Sequence, residues 1–286
     1  MKILYLTRGD HVDYQNDCLL IGLKELFGSD VVDHNKQSHN YVTYDINNAN
    51  RLYGNGMTVT RVLPDLDVDR TDLTNKIKNH FFDFIIYGSI WRCSDNIQEV
   101  LKYYPPNKII AVDGEDEINI HPIQHKGILY FKRELRYLSS LIFPIHFAFP
   151  SSKINFNKTK NRDIAICDPR DKSTYIYKTE NDYYRGYQDA RFAYTTKKAG
   201  WDCLRHYEIL GNGCIPIFLD IDKCPPYTCM SLCHKELTEI LNNIKFKNPT
   251  EIYEQYAPII ENHVMTHNTT KALAEYFVNK IKETQQ

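Results

Sequence analysis

No run of apolar residues in this chain is long enough to cross a membrane, and the opening MKILYLTRG is too short in its apolar part for a secretion-signal core. The expected location is the cytoplasm, in soluble form. An excess of one charge is also missing: 35 basic against 36 acidic residues leave a formal net charge of −1. That balance lacks the overall basic footprint of a nucleic-acid binder, so no nucleic acid is expected as a partner. Internal repeats and low-complexity tracts are absent. Paired close cysteine spacings are absent too, although the chain holds eight cysteines, and free buried thiols are the expectation for such a chain. The densest group, Cys224, Cys229 and Cys233 with His234, has spacers of four and three residues and is interrupted by Pro225 and Pro226. Structural zinc knuckles use tighter turns, so no metal site is expected there.

The chain has 286 residues, of which 42% are hydrophobic, enough for two domains of ordinary size. Tyrosine is abundant at 21 residues, which suits sugar-binding clefts but follows equally from compositional bias, the plainer reading. The first half alternates two periodicities. Short apolar runs at Lys2–Leu6, Asp30–Val32, Phe82–Tyr87, Lys108–Val112 and Leu129–Phe131 read as strands. Helical spacing separates them at Tyr14–Phe27, Arg70–His80 and Asp95–Tyr104, the last closed by Pro105 and Pro106, while residues 34–69 read as loop. This is βαβ logic, which predicts parallel sheets covered by helices, with ligands beyond the carboxyl ends of the strands. A boundary is expected between Phe143 and Lys160, where Pro144 and Pro150 precede a polar stretch without amphipathic period. The second half restarts with a strand at Asp163–Cys167 and ends in helices at Lys235–Ile244, Pro249–Ile260 and Thr269–Thr284.

Three loops that would meet at one sheet edge are rich in chemistry. His11 and Asp13 follow the first strand, GSIWR follows the FDFIIY strand, and Glu115 and Asp116 follow the IIAV strand; Lys132 and Arg133 close another strand. Charged loops are most often simply solvated, and it is their convergence on one edge that raises the functional reading.

The densest signal is Ala190–Phe218, ARFAYTTKKAGWDCLRHYEILGNGCIPIF. A strand leads through Ala199 and Gly200 to Asp202 at an expected N-cap, a helix running to about Leu210, and a buried strand from Cys214 after Gly211 and Gly213. A strand, a glycine turn and a helix start make an anion site, because unpaired amides and the helix dipole converge there. Lys197, Lys198 and Arg205 add positive charge. Arg205 and Glu208 stand three apart and share a helix face; alone they are an ordinary surface ion pair worth a few tenths of a kcal/mol, but beside the glycine turn they suit a leaving diphosphate.

The segment Lys197–Phe218 resembles the carboxyl-terminal signature of the exostosin-like glycosyltransferases, with Gly200, Arg205, Glu208 and Gly213–Ile217 matching. Cys203 replaces a small hydroxyl residue, and Thr196–Ala199 depart from the usual residues. The resemblance implies a GT-B-like α/β fold, two Rossmann-like domains with parallel sheets facing a central cleft. It also implies a glycosyltransferase taking a nucleotide-sugar donor, with a UDP-sugar first, and a carbohydrate acceptor. Arg205 would face the diphosphate and Glu208 the donor hydroxyls, while Lys197, Gly200, Trp201, Asp202, His206 and Arg133 complete the expected donor set. The expected units are residues 1–150 on the acceptor side, 151–265 for the nucleotide sugar, and 266–286 as a helix returning to the first unit. An inverting, metal-independent reaction needs a base from the first half, with His11 and Asp13 ahead of Glu115 and Asp116; a retaining one does not. No cofactor is expected beyond the nucleotide sugar itself. A non-catalytic nucleotide- or carbohydrate-binding module and a nucleotide-sugar isomerase stay open as alternatives.

Overall fold

The computed structural model describes residues 1–9 and 11–285. Its first half is a fully parallel six-stranded sheet in the order β2-β1-β3-β4-β5-β6. The strands are β1 (Ile3–Leu6), β2 (Val31–His34), β3 (Phe84–Tyr87), β4 (Ile109–Asp113), β5 (Leu129–Lys132) and β6 (Ile142–Pro144). Alternation along each strand separates two apolar faces. Leu4, Leu6, Ile85, Tyr87, Ile109 and Ala111 pack with α3 (Leu73–Lys78) and α4 (Ile97–Tyr103) through Ile77 and Val100. Ile3, Tyr5, Ile86, Ile110 and Val112 join the larger core on the opposite face.

That larger core is built around α1 (Tyr14–Phe27), whose residues 15–24 are all buried. Asp13 caps its start by accepting from the Asn16 amide, and Gly28 ends it with φ 55°, a left-handed position where glycine is at home. The last helix, α9 (Thr270–Glu283), lies along α1. The two approach so closely at Gly22 that a Cβ there would overlap the Thr270 carbonyl. The region 34–69, expected as loop, holds 3₁₀ turns and one short helix, α2 (Ile46–Ala49), and its Tyr41 hydroxyl donates to Asp33 of β2 at 2.8 Å.

The second half is a three-stranded parallel sheet, β7 (Arg162–Ile164), β8 (Ala190–Thr195) and β9 (Ile215–Phe218). Its helices are α5 (Glu180–Gln188), α6 (Leu204–Gly211), α7 (His234–Asn243) and α8 (Pro249–His263). Phe192, Ile215, Ile217 and Phe218 belong to the same continuous core as Ile3, Leu19 and Phe277. The molecule is thus the GT-B-like α/β arrangement expected, two parallel sheets whose carboxyl-end loops face one cleft. Besides α2, β6 differs from the expectation: it pairs with β5 where prolines had marked only a boundary. Pro144 is tolerated because β6 is an edge strand. Among the described residues, no helix is long and apolar enough to cross a membrane.

Candidate functional site

In the first sheet, β1 is flanked by β2 on one side and β3 on the other, so the chain departs in opposite directions from the β1/β3 pair. A crevice opens at such a switch point, outside the carboxyl ends of the strands. The loops leaving β1 and β3 are joined there by Arg92, whose Nη1 lies 2.5 Å from Asp13 Oδ2 and whose Nη2 lies 2.9 Å from Glu115 Oε1 in the loop after β4. The three loops expected to converge therefore do so, through a residue that the sequence had offered only as part of GSIWR.

This cation changes the standing of the candidate bases. Asp13 has one carboxylate oxygen on the Asn16 amide and the other on Arg92. Glu115 is held by the same guanidinium, and Asp116 by Arg133. His11 lines the cleft, and its imidazole has no hydrogen bond among the described residues. Partial burial, together with Arg92 and Arg8, holds its pKa below the usual histidine value of 6.5, so the ring is neutral near pH 7.

Arg133, at the end of β5, is a buried clamp. Its Nε and Nη2 donate to Gly114 O at 3.0 and 2.9 Å, and Nη1 donates to Glu134 Oε1 at 2.9 Å. Further bonds go to the Asp202 carbonyl and the Asp116 carboxylate. All five N–H donors of a guanidinium are thereby used, and none remains for a phosphate. Glu134 Oε1 also accepts the Asp202 amide at 3.0 Å, so adjacent residues of the first half hold both backbone groups of Asp202 in the second. Gly200 packs directly on this cluster, where a Cβ would strike Glu134, Asp116 and Arg133.

Beyond β8 the chain turns through Thr196–Cys203 into α6. The N-cap is Cys203, one residue later than expected, and no side chain caps the helix. Asp202 is instead buried, accepting from the Phe147 amide at 2.9 Å and the Tyr207 hydroxyl at 2.8 Å. Cys203, Leu204 and Arg205 line the cleft, so the uncapped first turn and its dipole border it. Arg205 bonds the Tyr175 hydroxyl at 2.9 Å and pairs with no carboxylate among the described residues. The ordinary ion pair with Glu208, the plainer alternative for this spacing, is not formed among the described residues. Glu208 accepts the Thr58 hydroxyl and, at 2.9 Å, the Tyr183 hydroxyl; burial pushes its carboxyl above the ordinary range while those two bonds oppose the shift.

The cleft has a volume of about 720 Å³ and takes walls from both halves. Of the expected donor set, Gly200, Asp202, Arg205, Glu208 and Arg133 line it. Lys197, Trp201 and His206 do not. Lys198 takes the lining position, while the Lys197 ammonium rests 5.1 Å over the Trp201 ring. His206 is fully buried between Thr195 Oγ1 at 2.9 Å and Trp201 O at 3.0 Å and stacks on Phe218; burial first, then Arg205 and Arg133, lower its pKa to about 4 against the opposing Trp201 bond. Residues that the sequence did not single out are Arg92, Thr58, and the tyrosines 53, 175 and 183, which carry no period or motif of their own. Among the described residues, no three His, Cys, Asp or Glu side chains are grouped to hold a metal ion.

No protein-family model matches the chain, and no curated protein matches it. Solved structures do. One is an alpha-glucosyltransferase in complex with UDP-glucose and DNA containing an abasic site, 8% identical over 98% of both chains with a TM-score of 0.47. Another is an alpha-glucosyltransferase in complex with UDP and a 13-mer DNA containing an HMU base, 9% identical over 99% of both chains with a TM-score of 0.48.

Proposed function

We propose that the protein is a glycosyltransferase that moves a sugar from a nucleotide-diphosphate donor, a UDP-sugar first, to a hydroxyl of a carbohydrate acceptor. The observation that carries this reading is that one cleft is lined by two groups of complementary chemistry, one from each half. From the second half, Arg205 offers a guanidinium without a carboxylate partner beside the uncapped first turn of α6; from the first, His11 offers a neutral imidazole without a hydrogen bond, among the described residues.

The roles follow from the chemistry. The acceptor oxygen attacks the anomeric carbon, the bond to the diphosphate oxygen breaks, and its electron pair stays on the diphosphate. Charge grows on that leaving group, and Arg205, Lys198 and the α6 dipole stabilise it where it develops. The acceptor proton passes to His11. Glu208, held by Thr58 and Tyr183, keeps lone pairs for donor hydroxyls, since an ionised carboxylate has about four acceptor sites. Attack opposite the diphosphate inverts the anomeric centre. The reaction in this reading is independent of added metal.

Calorimetry with UDP, UDP-sugars and GDP-sugars, followed by nucleotide release with and without glycan acceptors and with EDTA, tests it. Arg205→Ala should weaken UDP binding by roughly 10- to 100-fold, the worth of one charge-assisted contact, with an unchanged circular-dichroism spectrum. Absence of nucleotide binding by the wild-type protein refutes the donor site. Binding without any turnover instead points to a non-catalytic module.

A further inference from the structure

Trp91 immediately precedes Arg92 in the loop after β3, and 45% of its surface is exposed. Single exposed aromatics are common and need no explanation. This one is fixed in place. Its indole Nε1 donates to Asp113 Oδ2 at 2.9 Å, and His121 packs against the ring at an interplanar angle of 82° with centroids 4.7 Å apart. Asp113 is fully buried, pairs with the equally buried Lys132 at 2.9 Å, and accepts the Glu115 amide at 3.0 Å. One buried ion pair therefore sets both the indole and the loop that carries Glu115 and Asp116. The next residue along, Arg92, reaches Asp13 on the cleft wall.

Such an anchored, half-open aromatic face fits a flat, weakly polar ring face. The charges around it choose between ligands. Arg92 is spanned by Asp13 and Glu115, and Lys132 is buried on Asp113, so neither offers charge to a phosphate. Glu117, two residues after Glu115 in the same loop, is exposed and has no cation partner among the described residues. Carboxylates beside an aromatic accept bonds from hydroxyls and repel a phosphate backbone.

We propose that Trp91 is an acceptor-binding platform, its indole face stacking on a pyranose ring of a neutral glycan so that a neighbouring hydroxyl enters the cleft toward His11. The inference rests on the glycosyltransferase reading for the identity of the bound sugar as acceptor.

The test uses the full chain, a panel of neutral di- and oligosaccharides, and short duplex DNA, read by calorimetry beside UDP binding. Trp91→Ala should weaken glycan binding, and raise the acceptor KM, by about tenfold or more, the scale of one aromatic stacking contact. UDP affinity should stay within about twofold, since Asp113 and His121, which hold Trp91, both belong to the first half. Trp91→Phe keeps a ring face but loses the indole N–H, and should recover most of the glycan affinity. Wild-type glycan affinity in folded Trp91→Ala overturns the proposal. So does equal loss in Trp91→Phe and Trp91→Ala, which would make the Asp113 bond the whole contribution, and so does Trp91-dependent binding of DNA with none of glycan. Failure of the wild-type protein to bind UDP refutes the glycosyltransferase reading instead, while Trp91-dependent glycan binding remains measurable without it.

Discussion

His11 and Asp13 are two residues apart, and the sequence offers both as bases with nothing to rank them. Their surroundings rank them. Asp13 is consumed as helix cap and as partner of Arg92, whereas His11 keeps its ring nitrogens open among the described residues. A base in this position fixes the acid side of the pH profile. Since burial, Arg92 and Arg8 lower the pKa of His11, the imidazole is mostly unprotonated at pH 6.5, and the acid limb of kcat/KM should lie below that value. Arg92→Leu removes one of the two repelling cations and leaves Arg8 alone against the attraction of Asp13 and Asp17, so the limb should move to higher pH. His11→Asn should lower kcat by roughly 100- to 10,000-fold with donor binding intact. Pre-steady-state and steady-state pH profiles of the three proteins check this, and a fully active His11→Asn enzyme moves the base elsewhere.

At the scale of elements, most of the molecule was legible. The spacing of Leu19, Leu20 and Leu23 fixes α1 at Tyr14–Phe27, and Pro249 opens α8 where the pattern places it. What eluded the pattern has physical causes. β6 carries a proline that reads as a break, and only its edge position makes it a strand. Asp202 has the chemistry of a cap, yet its carboxylate is claimed by Phe147 and Tyr207, so the helix starts after Cys203 without one. Tertiary partners decided in both cases. The same holds for Gly22, which propensity alone would mark for improvement, because alanine in a helix interior is favoured by about 1 kcal/mol. Here the added methyl would enter the Thr270 backbone across the α1–α9 contact. Overpacking of this kind costs about 1–3 kcal/mol and should outweigh the propensity gain. Urea unfolding of Gly22→Ala should therefore show a lower midpoint, and a higher midpoint would mean that α9 gives way freely.

Across the whole molecule, two α/β halves are visible in the alternation of strands and helices, but their joining is not. Residues 133 and 202 are distant in sequence and carry no shared motif, and only the fold brings the Arg133 guanidinium and the Glu134 carboxylate onto the two backbone groups of Asp202. Around this one cation stand Glu134, Asp116 and the buried Asp202 carboxylate. Burial already raises the pKa of Glu134 and of Asp202, with Arg133 acting against the rise in both. Arg133→Met keeps the apolar contact with the Phe147 ring but strands those carboxylates, and breaking a buried charge pair this way costs about 3–5 kcal/mol. The sign of its pH dependence follows from linkage. Groups whose folded pKa is raised bind protons more readily folded than unfolded, so they destabilise the fold above that pKa and cease to do so as pH falls through it. Losing Arg133 raises them further. The deficit of Arg133→Met relative to wild type should therefore be largest near pH 7 and shrink toward pH 5, read as the separation of the two urea midpoints at each pH. A deficit that stays constant with pH would mean that the lost bonds to the Gly114 and Asp202 carbonyls, rather than the stranded carboxylates, are what joins the halves at this point.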